Sequence, residues 1–306
     1  MSFSVTWGVH NMTGSFARFV PPLGVAVVLL VLAIGFGPLL HLPSMVILNT
    51  MLALIILGCL AVAAYLFVVC NRKFAAAGTV VMAVAIWSAF YLSSQAAPWA
   101  VWTVLFFVAV ALIAYDTAQD TARKSWWPLA LVRVFFGWAW IDNAQDHFRV
   151  GNWFVGDGGG FAQTASGAAG RPATYFLDPL YQGFLRGAVT PNADAWAGVT
   201  ACGELAFGLM LALGFLTPVA AWLSLWQSSN YILMKGFLSH GAYTDKVFFI
   251  ADLAVMLTGA GLVYGLDASL QHHVPAWFAK WFMGLVDVER VGAEASRLGR
   301  ISPQPT

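Results

Sequence analysis

The residues able to do chemistry in this sequence are few and sit in apolar surroundings. Glu204 lies inside Cys202–Ala221, CGELAFGLMLALGFLTPVAA, a run that reads as an apolar helix broken at Thr217-Pro218 and followed at once by another. A carboxylate within a hydrocarbon-length helix costs roughly 2.5–3.5 kcal/mol on insertion scales, so it must face a partner, a cavity or a ligand. Its candidate companions come from three neighbouring segments: Arg133, Trp140, Asn143 and His147; Gln227 and Asn230; and Asp252. Glu204 and Asp252 are candidate proton carriers, and Arg133 is a candidate anion attractor reaching toward Glu204. Gln227 and Asn230 share one helical stripe and can donate hydrogen bonds, while Trp140 and His147 offer a ring and a titrating imidazole. Glu204, Asp252 and Arg133 form the candidate catalytic set; Gln227, Asn230, Trp140 and His147 form the candidate cofactor-binding set.

The surrounding composition says what holds these residues. Of 306 residues, 60% are hydrophobic and 9% are charged, against about 25% charged in a soluble domain. The chain therefore reads as an all-α, polytopic membrane protein of about eight transmembrane helices. The spans are read at roughly 23–40, 45–69, 74–92, 99–115, 126–141, 195–215, 218–236 and 246–264. Residues 1–125 form an N-terminal four-span region in which Arg72 and Lys73 are the only charges between Phe19 and Tyr115. Residues 126–284 form a second membrane domain, interrupted by a long outer connection at 149–193, and 285–306 read as a disordered tail. Within the connection, GDGGG at 156–160 reads as a lid or linker, and YFLDPLYQGFL as a short interfacial helix. A stretch with Trp277, Phe278, Trp281 and Phe282 ahead of the tail reads as an interfacial amphipathic helix. The bias of Lys and Arg places both termini in the cytoplasm.

Counting 1.5 Å per residue from the outer helix ends puts Glu204 roughly 15 Å deep, and Asp252 and Asn143 roughly 9 Å deep. Two readings fit the cluster. One is a buried Arg133–Glu204 ion pair that fixes two helices. The other is a polar cavity, open to the outer face, that binds a redox-active headgroup or passes protons. Neither a metal-ligand spacing nor a haem, flavin or Fe–S motif is present. The three cysteines lie in apolar segments as packing thiols, and the glycine run lacks the context of a nucleotide loop.

Residues 127–266 resemble the DoxX/DoxD family of four-helix membrane proteins. The resemblance rests on Leu131-Val132-Arg133-Val134-Phe135-Phe136-Gly137, on Gly203-Glu204 followed by Gly208-Leu209-Met210-Leu211-Ala212-Leu213-Gly214-Phe215-Leu216-Thr217, and on the long outer connection. Where family members often carry a lysine near the end of the first helix, this chain has Gln145-Asp146-His147. The resemblance implies a four-helix bundle in a bacterial or archaeal cytoplasmic membrane. It also implies a subunit that passes electrons from a thiosulfate-like sulfur compound to quinone, with a separate small soluble-domain subunit as possible partner. The alternative is a non-catalytic subunit packed against a larger respiratory or photosynthetic membrane complex. Beyond the lipid bilayer and such protein partners, nothing in the sequence points to nucleic acid.

Overall fold

The computed structural model describes residues 44–91, 97–121, 124–149, 153–154 and 159–284. The expected leader, first span and C-terminal tail lie outside the described residues, as does most of the GDGGG run. Among the described residues the fold is all helical. Three long apolar helices come first: α1 (Ser44–Val68), α2 (Lys73–Tyr91) and α3 (Ala97–Thr117). α4 (Trp127–Arg149) leads into the connection, which contains α5 (Gly160–Gly170) and α6 (Asp178–Phe184). α6 runs through a wide turn and a tight turn directly into α7 (Ala193–Leu213). After it come α8 (Thr217–Lys235), α9 (Tyr243–Thr258) and two short helices, α10 (Leu266–Leu270) and α11 (Ala276–Phe282).

Among the described residues, three helical segments are long and apolar enough to cross a membrane: Lys73–Phe90, Ala100–Thr117 and the continuous run Asp178–Leu213. Leu52–Val68 is a shorter apolar helix. α4 packs on α7, α7 on α8, α8 on α9 and α9 back on α4, while α1 and α2 pack on each other and α1 reaches α7. Buried side chains from both sides of residue 125, among them Leu66, Trp102, Phe106, Ile141, Leu205 and Leu266, meet in one cluster. Polar ties reinforce it. Arg72 donates to both carboxylate oxygens of Asp120 at 2.6 and 2.5 Å, Ser269 donates to the same carboxylate at 2.5 Å, and Gln145 donates to the Ala89 carbonyl at 2.8 Å.

Two junctions follow directly from local sequence. α7 stops because Gly214 adopts a left-handed conformation (φ 66°), and Phe215 N–H donates back to Met210 O, a closure that suits glycine. α8 then starts with Pro218 in its first turn, where a missing N–H costs nothing. Its remaining N-terminal donors are met by Asp267, whose carboxylate accepts from Leu216 N–H at 2.8 Å and Thr217 N–H at 3.0 Å. A carboxylate also complements the positive end of the helix dipole. The last expected span, 246–264, is shorter than anticipated: α9 ends at Thr258, because Gly259 turns the chain with φ 63°.

Candidate functional site

The register of α4 against α7 decides which polar residues meet. The two helices run antiparallel and cross where Gly137 and Gly208 face each other. A Cβ on Gly137 would sit 2.5 Å from Ala212 N, and one on Gly208 would sit 2.8 Å from Trp140 Cβ. Small residues at such a crossing let two backbones approach closely. With the crossing fixed there, Asn143 and His147 come opposite Glu204, whereas Arg133 comes opposite Gly214.

Glu204 is completely buried and draws partners from two other helices. Asn143 Nδ2 donates to Oε2 at 2.9 Å, and the Tyr231 hydroxyl on α8 donates to Oε1. His147 Nε2 lies 3.0 Å from Oε2, within ion-pairing distance, although its ring is turned off the line of a hydrogen bond. Gln227, one turn before Tyr231, interacts with the same phenol. The imidazole is 13% exposed against 0% for the Glu204 side chain, so His147 is the accessible edge of the group. Trp153, in the connection, covers that edge: its ring stacks on His147 with centroids 3.7 Å apart and planes 16° apart. Phe161 on α5 packs edge-on against Trp153, and Tyr181 and Trp196 belong to the same apolar roof. The connection is therefore a folded cover here, with α5 as an element that its Gly- and Ala-rich sequence did not announce.

Asp252 forms a second centre, two turns nearer the start of α8. It is fully buried, and Ser224 Oγ donates to its Oδ2. The Trp140 indole N–H faces Asp252, but the Trp140 Nε1 and Asp252 Oδ1 atoms both lack a partner in hydrogen-bond geometry. Glu204 lies level with Tyr231, four residues from the end of α8, or roughly 6 Å along the helix. Asp252 lies level with Ser224, roughly 16 Å from that end. This reverses the order expected along the helices. The first turns of α7 stand within the connection, beside α5 and Trp153, so Glu204 lies nearer that end of the bundle than a count from the start of α7 gave.

Three expected site residues fall elsewhere. Arg133 does not meet Glu204. Its guanidinium donates to the Leu211 carbonyl at 3.0 Å and to the Val263 and Tyr264 carbonyls at 3.4 and 3.5 Å, tying the end of α7 to the turn after α9. It precedes Asn143 by ten residues, roughly 15 Å of helix, too far for its side chain to span. Asn230 faces the cover, where it accepts a hydrogen bond from Tyr181 at 3.2 Å and donates to Trp226 O at 2.8 Å. Trp140 is a core ring, 3% exposed and packed edge-to-face with Phe207 and Phe248 at 4.9 Å, which leaves no open stacking face. The aromatic ring at the accessible edge is Trp153, which carried no polar periodicity to mark it. Tyr231 lay on the polar stripe of α8, but only its contact with Glu204 distinguishes it from its neighbours.

The group combines a carboxylate, a phenol, an imidazole and an amide. Such a set can hold and pass a proton and can donate a hydrogen bond to a ligand carbonyl. Among the described residues, no three His, Cys, Asp or Glu side chains gather as metal ligands. Compared with models of known protein families, with curated proteins and with solved structures, the chain matches none.

Proposed function

We propose that the chain is a membrane oxidoreductase subunit of DoxX/DoxD type that passes electrons from a thiosulfate-like sulfur compound to quinone, with Glu204 at its proton-handling centre. In this reading the chain crosses the membrane about eight times, with both termini cytoplasmic, and α4, α7, α8 and α9 form the C-terminal four-helix bundle.

The observation that carries the proposal is the convergence of Asn143, His147 and Tyr231 on a carboxylate with no exposure. Intramembrane ionisable residues mark proton and substrate paths by default. A quinone headgroup fits the donor chemistry: an imidazole at the accessible edge, its Nε2 buried against Glu204, beside the flat Trp153 ring. When bound, quinone would accept two electrons and two protons. His147 would donate to a carbonyl oxygen at that edge. Glu204 would hold the replacing proton, and Tyr231 and Asn143 would orient its two oxygens. The Trp153 cover would limit the access of bulk water.

Bound quinone and thiosulfate-dependent quinone reduction, measured in purified membranes for wild type and Glu204→Gln, test this. General acid–base catalysis contributes about 10²–10⁴-fold, so reduction should fall by about 100-fold or more while bound quinone falls far less. Unchanged reduction in well-folded Glu204→Gln would reject the proposal. The second reading, a non-catalytic subunit of a larger complex, would then stand. It is favoured by the apolar exposed face of α1 and α3, including Leu54, Leu57, Phe67, Val104 and Phe107.

A further inference from the structure

Behind the Glu204 group, the interior of α4, α8 and α9 holds polar atoms that the proposed site does not use. Trp140 Nε1, Ser228 Oγ and Asp252 Oδ1 are all buried and all lack a hydrogen-bond partner; their residues are 3%, 0% and 0% exposed. Buried polar atoms without partners are unfavourable, so three in the interior of one helical group call for a partner. Trp140 faces Asp252 but stands outside direct hydrogen-bond geometry. Ser224, already bonded to Asp252, is one helical turn from Ser228 on the same face of α8. Two donors and two acceptors around one point suit a single water molecule, which makes two to four hydrogen bonds in a buried site.

The surroundings give this site a direction. On α8, Ser224, Ser228 and Tyr231 follow one another at i, i+4 and i+7, along one stripe that ends at Glu204. Toward the start of α8, the way is filled by apolar side chains: Phe207, Leu211, Ala220, Ala221, Val255 and Ala260 pack there. Beyond them lie Asp267 and Arg133. The polar stripe therefore opens toward Glu204 and closes behind Asp252.

We propose that Trp140, Ser228 and Asp252 bind one internal water and make Asp252 a closed-ended proton reserve for Glu204. This rests on the proton-handling reading of Glu204. The transfer is a relay of exchanges. The Asp252 carboxyl gives its proton to the water, which passes one of its own along Ser228 to Tyr231, and the Tyr231 phenol gives its proton to Glu204 Oε1. Asp252 ends as carboxylate and Glu204 as carboxylic acid. The hydroxyls and the water are restored, and no electron moves.

The test needs no quinone. Full-length protein in lipid nanodiscs is moved to D₂O at acidic pH, and the carboxyl stretch absent from Asp252→Asn is followed by infrared spectroscopy. In wild type this band should shift as deuterium enters. Ser228→Val fills the water position, and Trp140→Phe removes the indole donor while keeping a ring. Each should slow the shift by about tenfold or more, a barrier increase of about 1.4 kcal/mol. Glu204→Gln should slow it as well, and Thr217→Val, beyond the apolar layer, should leave it unchanged. A wild-type band that never shifts, or wild-type rates in folded Ser228→Val or Trp140→Phe, would overturn the water site. If Ser228→Val fails to fold, Trp140→Phe decides. A slowed rate in Thr217→Val, or an unslowed one in Glu204→Gln, would overturn the closed end at Asp252. These results are independent of quinone reduction in Glu204→Gln, so either idea can fail alone.

Discussion

Replacing Gly137 by alanine is the sharpest probe of how the site is positioned. The added methyl would lie 2.5 Å from the Ala212 amide nitrogen, 2.7 Å from Gly208 O and 2.9 Å from Ala212 Cα. All three are backbone atoms, so no rotamer change relieves the clash, and α4 must move from α7 by about 1 Å to restore contact near 3.5 Å. Overpacking costs about 1–3 kcal/mol, and a rigid backbone neighbour places this case at the upper end. Against that, alanine gains up to about 1 kcal/mol of helix propensity over glycine. Gly203→Ala on α7 supplies the control, because its methyl would meet only the Phe207 ring, at an ordinary 3.7 Å. The propensity gain is common to both variants, so their difference isolates the clash: about 2–3 kcal/mol in favour of Gly203→Ala. Equilibrium unfolding in mild detergent, followed by tryptophan fluorescence, measures it. The same displacement should loosen Asn143 and His147 from Glu204 and lower quinone reduction in Gly137→Ala alone. Equal stability of the two variants would mean that α4 and α7 do not cross at these glycines, and the described site would lose its basis.

Three further outcomes are expected. Arg133→Met should destabilise by about 2 kcal/mol or more, by stripping charged hydrogen bonds from buried carbonyls. Combined with Glu204→Gln, its effect should add to within about 0.5 kcal/mol, and coupling well above that in a double-mutant cycle would restore a direct Arg133–Glu204 contact. Tyr231→Phe and Glu204→Gln, by contrast, should be coupled by about 0.5–3 kcal/mol in the same assay; additive losses would separate the phenol from the carboxylate. Asp267→Ala should cost about 0.5–2 kcal/mol, as loss of the carboxylate that accepts the first N–H groups of α8, and unfolding at the wild-type midpoint would argue against that contact.

The sequence by itself determined that the chain is helical and rich in segments of membrane-spanning character, because apolar runs, Gly214 and Pro218 act locally. The bounds of α1, α2, α7 and α8 lie within two residues of those read from hydropathy alone. It also marked Glu204 as a centre, since a carboxylate in such a helix needs partners wherever it lies. Which partners it finds was decided only in three dimensions. Arg133, Asn143 and His147 share one helix and nearly one face, and nothing local to α4 says which of them stands opposite Glu204. That choice follows from the Gly137–Gly208 crossing, a contact between residues 71 positions apart in the sequence. The same crossing gives Arg133 to the carbonyls at the far end of α7. The folding of the connection onto α7 and α8 then turns Asn230 to Tyr181 and brings Trp153 over His147. Helix formation is set by neighbours a few residues away, whereas a buried polar site is set by the register between helices, and register depends on side-chain volumes on both helices at once.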